Sequence, residues 1–219
     1  MTSVPLGRVT TRPPIRIATW QLFLVLAAAK IALAWVYDTR ILPAVIGRMG
    51  NASKLPPEIT ALMASNDVLL MHFASTVVTF ALSIAFVACC LQLALLGFGE
   101  AVALIRLVRA VLIASTALIV EASVRAAQLL ASDVGVSIEA VSRSSASLAT
   151  LVLSGNPASS FYALLDAATV FELLWCVLVA VQLASIVRRE VAIAVVCAVW
   201  VTLTAAEWGV MTYLPRLLI

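Results

Sequence analysis

"LLDAATVFELLWCVLVAVQLASIVRRE" occupies residues 164–190, and the number of membrane-crossing helices turns on how it is read. Its middle is apolar enough to sit in lipid. Asp166 stands near its start and Glu172 lies within it, where a charge in hydrocarbon is costly. Arg188 and Arg189 close it. If the carboxylates are tolerated, residues 164–187 form a crossing helix. At about 20 apolar residues per crossing, the other stretches of this kind are residues 17–37, 68–98, 101–130 and 191–214. The sequence thus predicts an all-α, polytopic integral membrane helix bundle with five transmembrane helices. The whole chain, 1–219, reads as a single membrane domain.

Composition agrees. Hydrophobic residues make up 63% of the chain and charged ones 11%, against about 45–50% and 25% in soluble domains. Strand alternation is absent. Open backbone in lipid leaves N–H and C=O groups unsatisfied, so helices are required. A lipid bilayer is the first partner. The formal net charge is only +3 and no basic block occurs, so no nucleic acid is expected.

Residues 16–35, "RIATWQLFLVLAAAKIALAW", also have the layout of a signal peptide. Lys30 interrupts the apolar core, and the stretch is read as a retained span. Two longer connections separate the spans. Within 38–67, "LPPEITALMASND" predicts a short amphipathic helix at the membrane surface. In 131–163, "SGNP" marks a turn. "GFGE" and "VRRE" are short links. Arginine placement orients the bundle. Arg8, Arg12 and Arg16 and the link arginines Arg106, Arg109, Arg188 and Arg189 fall on one side. That side is taken as cytoplasmic, with the amino terminus inside and the carboxyl terminus outside.

Apart from Asp166 and the edge arginines Arg106 and Arg109, six ionisable groups are singled out inside or at the ends of the predicted spans: Lys30, His72, Glu121, Arg125, Glu172 and Glu207. In this orientation all fall in the outer half. Three explanations stay open: interfacial or snorkelling groups, a packed ion-pair network, or a water-filled functional cavity. Glu172 is expected to face the bundle with Lys30 or Arg125 close enough to pair. Glu121 and Arg125 have the i, i+4 spacing of an intrahelical pair. His72, Ser75, Thr79, Ser83 and Cys90 form a stripe on one helical face. Close helix packing is the favoured explanation of that stripe; the alternative is one wall of a polar path.

Enzyme signatures are absent. No G-x-S-x-G, H-E-x-x-H or P-loop occurs, and the single histidine has no second to share a metal. The four cysteines have no zinc-like spacing. The expectation is a protein that is not an enzyme, with no cofactor and no metal.

Residues 146–200, "ASLATLVLSGNPASSFYALLDAATVFELLWCVLVAVQLASIVRREVAIAVVCAVW", carry a family likeness. Leu165-Asp166, Phe171, Arg188-Arg189 and Trp200 resemble the fourth and fifth spans of bacterial members of the Yip family, the Ypt/Rab-interacting membrane proteins. "LPPEITALM" and "GFGEAVALIRLVRAV" are similar to the family's layout. Ala168, Phe171 and Glu172 depart from its usual residues. The resemblance implies five spans and a cytoplasmic amino terminus. The alanine-rich, lysine-poor sequence is similar to bacterial proteins, so a bacterial inner membrane is expected and Rab binding is not carried over. Two functions follow. One is a Yip-like protein that organises other membrane components through helix contacts, with a membrane-protein partner or as a homo-oligomer. The other is a small transporter or proton-coupled permease using the charged cluster.

Overall fold

A computed structural model of the chain describes residues 18–43, 66–131 and 168–217, with side chains in the last helix as far as residue 206. Among these residues five helices occur in order: α1 (Thr19–Val36, prolonged by a π-turn at Tyr37–Ile41), α2 (Asn66–Gly97), α3 (Leu104–Ala131), α4 (Val170–Ala184) and α5 (Arg189–Leu217). No sheet forms among the described residues.

The helix count corrects the five-span expectation. Among the described residues, four helices are long and apolar enough to cross a membrane: α1 with its π-turn, α2, α3 and α5. The expected span at 164–187 is instead a helix of 15 residues. At 1.5 Å per residue it is about 22 Å long, short of the roughly 30 Å hydrocarbon core. The physical reason lies in "TVFE", residues 169–172. Thr169 is extended and caps the helix, so α4 begins at Val170. A second boundary also moves. Asp38–Pro43 had been assigned to a connection, but the helical backbone continues through them. The surface helix expected before α2 and the turn at "SGNP" lie outside the described residues.

The short links lie at one end of the bundle. Gly99, at φ +76, turns the chain from α2 towards α3. That left-handed conformation is accessible to glycine without a Cβ penalty. Arg188, just before α5, reaches Glu100 at 3.5 Å and ties the two links together. Near this end the packing is dry. Leu95, Leu107, Leu183, Ala192 and Val195 are all fully buried. α3 is the central element: it packs on α1, α2 and most extensively on α4, while α5 packs on α4 and α2. Trp175, Val179 and Leu183 make the i, i+4, i+8 face of α4 that enters this core.

The outward faces are as apolar as the core. Met71 is 74% exposed, Leu93 70% and Leu82 65%. In water such faces would be an aggregation hazard; against lipid tails they are at no disadvantage. The chain is a polytopic α-helical membrane protein.

Candidate functional site

The structure distributes the predicted charged cluster over three places. The first is the start of α4. Four N–H groups at a helix start lack intrahelical partners, and in a membrane interior no bulk water replaces them. Here the Glu172 N–H donates to Thr169 Oγ1 at 3.2 Å, and the Thr169 N–H donates to Glu172 Oε2 at 3.1 Å. This is a capping box. The Thr169 hydroxyl then donates to Glu121 Oε2 at 3.3 Å, across from α3. Thr169 itself is buried. Two carboxylates thus gather at the positive end of the α4 macrodipole, where negative charge is stabilised. Glu121 stands about 25 Å above the start of α3 and about 15 Å below its far end. The α4 start therefore lies well below the outer end of α3.

Glu172 is half-buried. Its carboxylate accepts from the Thr169 N–H at its own helix start, and no salt bridge joins it to Lys30 among the described residues. Arg125 lies on α3 about one turn beyond Glu121. Glu207 lies in α5 and its side chain is outside the described residues.

The second place is the far end of α1 and α2. His72 Nδ1 lies 2.6 Å from Asp38 Oδ2. The π-turn at Tyr37–Ile41 carries Asp38. Such turns widen the helix by one residue and so re-aim its side chains. Asp38 was missed as a partner because the sequence had placed it beyond the end of the helix.

The third place is a cleft of about 460 Å³ bounded by α1, α2, α3 and α4. Its α2 wall carries His72, Ser75, Thr79 and Ser83, four of the five residues of the polar stripe. The stripe had been explained first as a tight helix contact. Thr79 and Ser83 are exposed on the cleft wall instead. The hydroxyls of Ser75 and Thr76 donate to the carbonyl of His72, and that of Ser83 to the carbonyl of Thr79, each at 2.8 Å. Bonding back along the helix satisfies their protons and leaves oxygen lone pairs towards the cleft. Cys90 departs from the stripe's other members and lines a smaller depression of about 280 Å³ between α2 and α5.

Lys30 lines the cleft from α1. Its Nζ lies 6.0 Å from the centre of the Phe80 ring, at the edge of cation–π range. Phe80 stacks on Phe23 of α1, with centroids 5.7 Å apart. No hydrogen bond or ion pair holds the ammonium among the described residues. Ser115 and Trp175, not singled out from the sequence, complete the cleft from α3 and α4. Among the described residues, no three His, Cys, Asp or Glu side chains converge as a metal site would require.

The arrangement offers one ammonium, one imidazole, several hydroxyl oxygens and an aromatic and aliphatic floor. It can hold a ligand that is polar at one end. No family model, no curated protein and no solved structure matches the chain.

Proposed function

We propose that the protein is a ligand-binding membrane protein of permease type, acting without catalysis, that takes a small solute or amphiphile into the cleft between α1, α2, α3 and α4. The observation that supports this is the cleft itself. A half-open space of about 460 Å³, lined by Lys30, His72 and the α2 hydroxyls, is of ordinary ligand-site size. A dry helix contact would leave no such space. The arginine pattern supports an inner-membrane setting with the amino terminus and short links in the cytoplasm. The cleft then opens in the outer half.

A Yip-like organiser is the second reading. The smaller depression between α2 and α5 favours it, because Ala94 and Ala198 there would let another helix approach closely. Native mass spectrometry of protein released in mild detergent separates the two. The permease reading expects a low-mass adduct on the wild-type chain that is lost in Ser83→Trp, which fills the cleft. A stoichiometric protein partner with no small adduct would favour the organiser instead.

A further inference from the structure

Within the cleft, polarity falls along one direction. From His72 to Val87 the α2 wall runs for about 22 Å. His72, Ser75 and Thr76 stand at the end nearest Asp38, and Lys30 sits level with Phe80. Beyond Phe80 the floor becomes Ile84, Val87 and Val111, interrupted only by the hydroxyls of Ser83 and Ser115. The charges are also unequal. His72 already faces the Asp38 carboxylate. Glu121 is turned to the α4 start through Thr169. Lys30 therefore presents a cation to the cleft with no ion pair of its own among the described residues.

A lysine inside a membrane protein is expensive unless something matches its charge. We propose that the cleft binds a single-chain anionic amphiphile, with its head group on Lys30 and its chain along the floor of Ile84, Val87 and Val111. This rests on the ligand-binding reading and narrows it to one ligand class. Among the described lining residues no carboxylate offsets the Lys30 charge, which disfavours a cationic head. Size argues for one chain. At roughly 30 Å³ per water-sized group, the cleft of about 460 Å³ holds on the order of fifteen such groups, room for the head and most of one chain, with the chain end leaving through the open side, but not for two chains. The head group can be a carboxylate or a phosphate, since both accept from an ammonium.

Trp175 lines the cleft and serves as the reporter. Protein in neutral-lipid nanodiscs is titrated with brominated palmitate, and the saturable quenching that Trp175→Phe removes is followed. Unlabelled palmitate, hexadecyl phosphate, hexadecylamine and methyl palmitate then compete. The expected result is displacement by palmitate or hexadecyl phosphate, with the amine and ester at least ten-fold weaker. The relative strength of the two anions tells carboxylate from phosphate. Lys30→Met should weaken palmitate about ten- to hundred-fold, the scale of a charged hydrogen bond, while Lys30→Arg keeps most of the affinity. Equal competition by the amine, or affinity unchanged in Lys30→Met, would overturn the anionic assignment while leaving a ligand-binding cleft. Absence of saturable Trp175 quenching by any probe would overturn both. The wild-type competition decides the matter even if Lys30→Met fails to fold.

Discussion

The two halves of this bundle are built from the same kinds of helix and do different things with them. At the link end, Leu95, Leu107, Leu183 and Val195 interlock with no exposure, and the charged residues Glu100 and Arg188 stay outside the core. In the opposite half, α2 carries hydroxyls and His72 on a cleft wall, α1 brings Lys30, and α4 starts below the outer end of α3. The difference comes from where helices end. The link end has two tight connections that bring α2 to α3 and α4 to α5. In the other half α4 begins only at Val170, and among the described residues polar groups line the cleft beside it.

The comparison is broken most readily in the packed half. Leu107→Ala should lower stability in detergent by about 2–5 kcal/mol, because a buried leucine leaves a cavity that cannot collapse. Thr79→Leu and Thr79→Ala, on the cleft wall, should both stay within about 0.5 kcal/mol. Equal losses at Leu107 and Thr79 in chemical unfolding would erase the distinction between the halves. Next in size is the α4 cap. Thr169→Ala should cost about 1 kcal/mol, and up to about 2. Glu172→Gln should cost less than Glu172→Leu, because glutamine can still accept from the Thr169 N–H. Thermal unfolding of the three variants checks this order. A Glu172→Gln loss as large as that of Glu172→Leu would mean that its charge matters more than its cap. Smallest is the pair at the links. Arg188→Ala should change stability by less than about 1 kcal/mol, since Arg188 is largely exposed.

Much of this bundle was legible in the sequence. Long apolar runs gave α1, α2, α3 and α5 to within a few residues, because lipid requires that length and little else. The error lay in α4. Apolar content from Leu164 onward suggested a full span, and hydropathy does not register where a helix is capped. The signal was present as Thr169 followed three residues later by Glu172, the pattern of a capping box ahead of an apolar run. It also answers why a carboxylate sits at residue 172: it accepts from the Thr169 N–H at the helix start. The candidate cluster was legible as a set of residues but not as a set of contacts. Lys30, Glu121 and Glu172 share a depth, yet pairing depends on helix rotation and on local turns. The π-turn that carries Asp38 to His72 has no composition of its own, and Trp175 read only as part of an apolar run.

The central claim is that one half of the bundle holds an open polar cleft and the other is closed. Single cysteines in a cysteine-free background test it most directly. Thr79→Cys and Ser83→Cys would be placed on the cleft wall, and Leu95→Cys and Val195→Cys in the packed half. Each variant, reconstituted in lipid and shown to be folded, is treated with a small water-soluble thiol reagent. The account predicts modification at positions 79 and 83 and protection at 95 and 195. Protection at all four positions would contradict it, because the cleft would then be a closed helix contact.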